Sequence, residues 1–181
     1  GTYGHGDRAV SARRIVVIGG SGFVGRYVVA RFASAGHHVM VPTRRREAAK
    51  HLILLPTVDV VEADIHNPRA LAARLGGADA GLNLVGILNE SSGATFAHAH
   101  VELARKVIAA CDTAGVKRVL HMSALGADAA GPSLYQQSKG KAEALVMASA
   151  LRWTIRRPSV TFGPGGSSRP RCARPPGLCP V

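Results

Sequence analysis

A tyrosine and a lysine four residues apart, Tyr135 and Lys139, form the pattern Y-x-x-x-K. On a helix this spacing places both side chains on one face. A lysine ammonium group there can bind a ribose and favour the ionised tyrosine, while the tyrosine exchanges a proton with a carbonyl or hydroxyl group. Ser123 follows an apolar run and can polarise the same oxygen. These three residues are the candidate catalytic residues, and the chemistry that suits them is hydride transfer at a carbonyl carbon.

A glycine-rich segment, GGSGFVG, lies between the apolar run 15–18 and a helical pattern. A dinucleotide-binding loop has this setting, with a strand before the glycine-rich segment and a helix after it. Glycines at this spacing permit a tight turn, the approach of a pyrophosphate and close packing of helix on sheet, and the helix N-terminus attracts the anion. A purely structural turn is the alternative. The predicted contacts of the dinucleotide in this loop are Gly19, Ser21, Gly22, Phe23, Val24 and Gly25.

A basic triplet, Arg44 to Arg46, follows the second apolar run, and no carboxylate occurs before Glu47. An acidic side chain at this point holds the ribose hydroxyls of NAD, whereas arginine accepts the additional phosphate of NADP. The sequence therefore favours NADP(H) over NAD(H), with Thr43 and Arg44 as contacts. Alternatively, the three arginines form the solvent-exposed start of a helix. Only one or two of the three could reach a phosphate.

Short valine- and isoleucine-rich runs alternate with helical patterns from Arg14 onward, which is typical of βαβ units on a parallel sheet. The predicted strands are 15–18, 38–42, 58–61, 82–85, 118–121 and 153–156. The predicted helices run to about 35, through 50, from 67 onward, from about 95 to 114 and from about 133 to 150. The pattern predicts an α/β fold, a Rossmann-like doubly wound parallel sheet with helices on both faces. Asp64 and Ile65, after the third strand, are predicted to contact the adenine, although Asp64 serves equally well as a helix cap or loop carboxylate.

With these motifs, residues 14–165 resemble the short-chain dehydrogenase/reductase superfamily, in the extended and atypical branches that include NAD-dependent epimerase/dehydratases. The likeness extends to N-L-V-G at 83–86 and to R-P-S-V-T-F-G-P from Arg157. It implies an oxidoreductase or epimerase-type activity with Tyr135 as acid/base. Further cofactor contacts that it implies are Leu84, Val85, Gly86, Arg157 and Pro158.

Three longer segments look most like a subgroup of NADPH-binding accessory subunits of respiratory complex I and their bacterial relatives. These segments are NLVGILNE, GVKRVLHMSALGAD and IRRPSVTFGPG. That resemblance implies a tightly held NADPH with a structural or sensing role in a respiratory or quinone-linked assembly. A cytoplasmic protein, peripheral to the inner membrane and on the matrix side in a eukaryote, is the location expected. Ile18 replaces the threonine often found before the first loop glycine in extended members, a mild departure.

The end of the chain differs in composition. Residues 163–181 hold five of the ten prolines and show no periodic pattern of apolar residues. Proteins of the family continue here into a substrate-binding region, which we expect to be missing. We divide the chain into a polar extension (1–13), a Rossmann domain (14–165) and a disordered Pro/Arg-rich tail (166–181), for which our hypothesis is a shifted reading frame or a fragment end.

Composition excludes several classes. A chain of 181 residues with 46% hydrophobic and 19% charged residues suits one packed domain. No apolar stretch reaches the length of a membrane-spanning helix, and the first 14 residues lack the apolar core of a secretory signal. Three cysteines, Cys111, Cys172 and Cys179, are too few for a disulfide scaffold and favour a reducing compartment.

Charge and histidine content raise two further alternatives. The net charge of +12 permits nucleic-acid binding, as in a cofactor-sensing regulator, but the basic residues are scattered and no helix-turn-helix is recognisable. Eight histidines are present without the cysteine or carboxylate spacing of a metal site, and His98 and His100 point to different sides of a helix. We therefore expect neither nucleic acid nor metal as a ligand.

Overall fold

Six strands form one parallel sheet in the computed structural model, which describes residues 11–158. The strands are β1 Arg14–Ile18, β2 His38–Thr43, β3 Val58–Glu62, β4 Ala80–Asn83, β5 Arg118–Met122 and β6 Arg152–Arg156. Their order across the sheet is β3-β2-β1-β4-β5-β6, and every neighbouring pair is parallel. The direction of winding reverses between β1 and β4, which is the switch point of a doubly wound sheet. The predicted Rossmann-like α/β fold is confirmed.

Helices connect successive strands. They are α1 Phe23–Ser34, a 3₁₀ turn Arg46–Ala49 continuing into α2 Lys50–Ile53, α3 Pro68–Leu75, a π-helical turn Ala97–Glu102 continuing into α4 Leu103–Thr113, and α5 Leu134–Met147. Asn67 caps α3, because its Oδ1 accepts hydrogen bonds from the N–H groups of Arg69 and Ala70. Ser133 caps α5 in the same way, accepting from the N–H of Gln136.

The core has two parts, one on each face of the sheet. Val16 and Ile18 of β1 pack with α3, α4 and α5, whereas Ile15 and Val17 pack with residues of α1 and α2. Alternate residues of a strand point to opposite faces, so β1 is buried on both sides. Helices therefore cover both faces, as predicted.

Two local predictions are corrected by the structure. The predicted strand 82–85 ends at Asn83, since the N–H of Val85 turns to the Asn83 side-chain Oδ1 (3.3 Å) instead of the neighbouring strand. The Leu84 N–H still donates to Ile18 O of β1 (2.9 Å), and the chain leaves the sheet after it. On α1, the apolar pattern of the sequence favours Val24, Val28 and Phe32 as the buried stripe, but these residues are only partly buried, and the buried residues are Gly25, Val29 and Ala33.

The predictions for the tail, including Cys172 and Cys179, and for most of the N-terminal extension lie outside the described residues. Cys111 is a buried free thiol of α4 in the core, and burial raises its pKa to about 11.

Candidate functional site

The glycine loop joins the carboxyl end of β1 to α1. Gly19 has φ of +84°, a conformation that favours glycine. A Cβ atom on Gly25 would lie 2.2 Å from the Gly19 carbonyl oxygen, so the helix approaches the loop more closely than any side chain allows. No side chain caps α1, and the first N–H to bond within the helix is that of Arg26, to Gly22 O (3.0 Å). The N–H groups of the first turn are therefore available to an anion.

A cavity of about 570 Å³ lies on one side of this loop, above the end of β2. Its walls are formed by Gly19, Ser21, Pro42, Thr43, Arg44, Arg45, Ala48 and Ile65. The Thr43 hydroxyl donates to Arg45 O (3.2 Å) and accepts from Arg45 N–H (3.3 Å), which folds the chain back after β2. Arg44 and Arg45 thereby face the cavity from one wall, whereas Arg46 begins the 3₁₀ turn outside it. Of the basic triplet, two arginines reach this cavity.

Asp64 does not line this cavity. Its Oδ1 accepts a hydrogen bond from the His66 N–H (2.9 Å), so the carboxylate closes a turn after β3. This is the alternative role that the sequence leaves open for it. Its neighbour Ile65 supplies an apolar wall to the cavity.

A second cavity, of about 490 Å³, lies on the other side of Gly19, at the ends of β4 and β5. Its walls include Ser123, Tyr135 and Lys139, so the three candidate catalytic residues meet in one place. The remaining wall residues are Gly19, Gly22, Phe23, Val24, Gly25, Leu84, Gly86, Ile87, Leu88, Asn89, Met122, Ala124 and Pro158.

Lys139 is 3% exposed, and its Nζ donates a hydrogen bond to the carbonyl oxygen of Met122 (3.3 Å). Burial lowers the pKa of its ammonium group to about 8, and the nearby Glu143 carboxylate opposes that shift. The lysine is thus much closer to losing its proton at neutral pH than an exposed lysine is.

Tyr135 is half-buried, with its ring edge-on to Phe96 and to His100 at 5.6 Å between ring centroids. Burial raises the pKa of its phenol. The sequence predicts that Lys139 favours the tyrosinate; in the structure, the lysine ammonium group donates its hydrogen bond to Met122 O.

Ser123 is buried at the end of β5. Its N–H donates to Arg156 O (2.7 Å), which continues the ladder to β6. Its Oγ is shielded from solvent. A hydrogen bond from this hydroxyl is one of the causes that lower the pKa of the Glu143 carboxyl.

Arg157 is held by a residue that sequence reasoning missed. Its Nε donates to Glu143 Oε1 (2.8 Å) and its Nη2 to Oε2, forming a two-point ion pair. Burial raises the pKa of the Glu143 carboxyl, but the bonds from Arg157 and Ser123, together with the charge of Arg157, outweigh it and lower the pKa overall. The sequence does carry a signal for Glu143, since it lies four residues after Lys139 on the same face of α5.

The structure therefore brings together most, but not all, of the predicted contacts. Outside both cavity walls lie Asp64, Val85 and Arg157. Wall residues that were not predicted are Pro42, Arg45, Ala48, Ile87, Leu88, Asn89, Met122 and Ala124. The basic triplet itself could have predicted Arg45 as a wall residue. The position of Ile87 to Asn89 after β4, at the carboxyl edge of the sheet, could have predicted those three.

Within residues 11–158 no group of three or more histidine, cysteine, aspartate or glutamate side chains is arranged to hold a metal ion. In the same part of the chain, no helix combines the length and the apolar character needed to cross a bilayer.

Two cavities that meet at a glycine loop, at the switch point of a doubly wound sheet, define a Rossmann-type dinucleotide-binding domain. A family model described as NAD(P)H-binding matches residues 19–170. The chain belongs to this NAD(P)H-binding family.

Relatives of known sequence include mitochondrial subunits and a bacterial reductase. The chain is 32% identical over 163 residues to NADH dehydrogenase [ubiquinone] 1 alpha subcomplex subunit 9, mitochondrial, of Arabidopsis thaliana, covering 87% of this chain and 40% of that protein. It is 28% identical over 161 residues to the NADH-ubiquinone oxidoreductase 40 kDa subunit, mitochondrial, of Neurospora crassa, covering 87% and 43%. It is 32% identical over 158 residues to a ceramide reductase of Caulobacter vibrioides, covering 87% and 49%. The chain spans less than half the length of each of these relatives.

Solved structures share the fold. A NAD-dependent epimerase/dehydratase of Bacillus halodurans superposes with a TM-score of 0.73 at 24% identity, covering 82% of this chain and 71% of that chain. The Bordetella bronchiseptica enzyme WbmH, in complex with NAD⁺, superposes with a TM-score of 0.75 at 18% identity, covering 88% and 60%. At these identities the likeness establishes the epimerase/dehydratase-like fold.

Proposed function

We propose that this chain is the NADP(H)-binding part of an oxidoreductase or epimerase of the short-chain dehydrogenase/reductase type. The observation that carries the proposal is the pair of cavities joined at Gly19. One has an arginine wall, and the other contains Ser123, Tyr135 and Lys139.

The residues fit a phosphorylated dinucleotide. The close approach of Gly25 to Gly19 leaves backbone, without side chains, facing the pyrophosphate position, and the uncapped α1 offers its N–H groups there. Arg44 and Arg45 face the cavity at the end of β2, where the adenosine ribose of a dinucleotide lies in this fold. Two guanidinium groups suit the additional phosphate of NADP(H), which is why we favour it over NAD(H).

A bound reduced nicotinamide would supply hydride to a carbonyl carbon in the second cavity. The Tyr135 hydroxyl would give its proton to the carbonyl oxygen, and its raised pKa makes it predominantly the proton donor at neutral pH. Ser123 Oγ, which lies in the wall of the same cavity, would donate a hydrogen bond to the same oxygen. Lys139 would bind the ribose beside it and stabilise the tyrosinate left behind.

The test is oxidation of NADPH by the purified chain with a panel of carbonyl and quinone compounds, followed by the absorbance of the reduced nicotinamide. We expect turnover that Tyr135→Phe abolishes while NADPH fluorescence enhancement on binding persists. Tyr27→Phe, on the exposed side of α1, is the matched control. Fluorescence enhancement without turnover for any compound would overturn the proposed hydride transfer and leave cofactor binding in place.

A second candidate function is the holding of NADPH without turnover, as an accessory part of a respiratory or quinone-linked complex. The names of the mitochondrial relatives favour it, and so does the hydrogen bond that holds the Lys139 ammonium group on the Met122 carbonyl oxygen. A matrix-side position peripheral to the inner membrane is part of this candidate. It predicts that NADPH stays bound through purification, identified by mass spectrometry of the released nucleotide, and is not oxidised by the same panel.

A further inference from the structure

His100 is a buried polar residue that neither the sequence analysis nor the proposed function uses. It lies in the π-helical turn Ala97–Glu102 and is 2% exposed. Its ring stacks on Phe96 (5.6 Å between centroids, 17° between planes) and meets the Tyr135 ring edge-on. It therefore contacts a candidate catalytic residue directly through its ring.

Hydrogen bonds determine which nitrogen of His100 carries the proton. The N–H of Ile87 can only donate, and it donates to Nε2 across 3.1 Å, so Nε2 is the acceptor. The Ser138 hydroxyl donates to the Tyr135 carbonyl oxygen (2.8 Å). The Ser138 oxygen must then accept from His100, whose Nδ1 lies 2.8 Å away. A continuous chain of hydrogen bonds thus links the cavity wall at Ile87 to the first turns of α5.

Electrostatics keep this histidine uncharged. Burial is the largest of the causes that lower its pKa to about 4, and Lys139 and His121 act in the same direction. Space is equally restricted, since a methyl group on Gly86 would lie 3.1 Å from Lys139 Nζ and 3.9 Å from His100 Nε2. A proton on Nε2 would remove the bond to Ile87 and place a second positive charge beside Lys139.

We infer that His100 is a positioning residue of the proposed hydride-transfer site, which holds the Ile87 backbone of the cavity wall and the Tyr135 turn of α5 in fixed relation, with Nδ1 as donor and Nε2 as acceptor. The inference deepens the proposed function and rests on it for its catalytic meaning. The hydrogen-bond network itself does not depend on turnover.

The first measurement needs no substitution. In ¹⁵N NMR spectra of the full chain at neutral pH, without and with NADPH, we expect one buried histidine with a protonated Nδ1 and an unprotonated Nε2, assigned to His100 by its loss in His100→Phe. A protonated Nε2 on His100 would overturn the inference, whatever the folding of any variant.

Variants then separate the two ends of the network. His100→Phe keeps the ring contacts and removes both hydrogen bonds, so amide exchange of Ile87 should accelerate about tenfold. Ser138→Ala keeps the Ile87 bond but frees the Tyr135 turn, so the Tyr135 pKa, measured by tyrosinate absorbance against Tyr135→Phe, should fall toward the ordinary value of about 10. Ser138→Thr retains the hydroxyl and should restore the original pKa.

His98→Gln is the matched control, because His98 lies on the same π-helical turn but is paired to Glu102 (2.9 Å) and stacked on His66. It should change neither Ile87 exchange nor the Tyr135 pKa. Unchanged Ile87 exchange in His100→Phe, or an unchanged Tyr135 pKa in Ser138→Ala, would overturn the positioning role. Absence of NADPH oxidation with every compound would instead overturn the proposed function and leave these results intact.

Discussion

Lys139 donates its hydrogen bond to the carbonyl oxygen of Met122, so the ammonium group is anchored to the end of β5 rather than to Tyr135. We expect Lys139→Met to lower the rate of NADPH oxidation about 100-fold or more, because the variant lacks the ammonium group that, in the proposed function, binds the ribose and stabilises the tyrosinate. Lys141→Met, an exposed lysine on the same helix, should leave the rate unchanged.

The same lysine substitution should raise stability. The folded-state pKa of Lys139 is about 8, below its ordinary value of 10.5, so a charged lysine destabilises the fold at neutral pH. Lys139→Met should increase the free energy of unfolding in urea by on the order of 1 kcal/mol or more. A lower free energy of unfolding would show that the bond to Met122 outweighs desolvation.

The pair of Glu143 and Arg157 ties α5 to the segment after β6. Arg157→Met leaves a carboxylate that is 2% exposed without its partner, so the Glu143 pKa should rise and the free energy of unfolding should fall at neutral pH. Glu143→Gln removes the charge and should lower the free energy of unfolding by less than Arg157→Met does. The loss in Arg157→Met should shrink as pH falls toward protonation of Glu143, and Arg156→Met, an exposed neighbour, serves as control.

The two arginines that line the first cavity, Arg44 and Arg45, predict a preference for NADPH over NADH. Arg44→Ser and Arg45→Ser should each weaken NADPH binding by about 10- to 100-fold, as expected for one charge-assisted contact to a phosphate, and leave NADH binding nearly unchanged. Arg46→Ser, outside the cavity wall, is the matched control. Fluorescence titration gives both dissociation constants, and equal losses for NADH would remove the case for a phosphate contact.

The close contact at Gly25 predicts that the glycine loop is sensitive to substitution of this residue. In Gly25→Ala the new methyl group would meet Gly19 O at 2.2 Å, so α1 must move away from the loop. We expect loss of NADPH binding and a lower melting temperature. Gly76→Ala adds a methyl group whose nearest atom is 3.5 Å away at a negative φ, and it should bind NADPH normally.

Acid should destabilise the fold through two buried histidines. His100 and His121 have folded-state pKa values of about 4, below the ordinary histidine pKa of 6.5, chiefly because of burial. The unfolded chain binds more protons between these values, so stability is complete above pH 6.5 and declines as pH falls toward 4. At pH 5 the loss is about 2 kcal/mol per histidine. Urea unfolding should show a smaller loss for His121→Gln and no change for His38→Gln, an exposed histidine.

The alternation of apolar runs and helical patterns was sufficient to predict the sheet and the sides of its helices. Strand β1 is a continuous apolar run because both faces are covered, and Asn67-Pro68 marks a helix start by chemistry that acts within one turn. Such local signals do not depend on how distant elements pack.

Contacts set by three-dimensional packing escaped prediction. The Asn83 side chain competes for the Val85 N–H and ends β4 early, an outcome that strand patterning does not encode. Whether Arg157 faces a cofactor or Glu143 depends on how α5 lies against β6. Which arginines of the triplet face the cavity depends on the Thr43 turn, which rotates Arg46 outward.

Gly19 belongs to both cavities, so a dinucleotide that fills them would act as a bivalent ligand joined over a single residue. Its two nucleotide halves, offered separately, would each meet the full cost of losing translational freedom, whereas the intact molecule meets that cost once. The affinity of the whole should consequently exceed what either half achieves alone by several orders of magnitude, and a nicotinamide mononucleotide should be a poor substitute even where the catalytic side chains are intact.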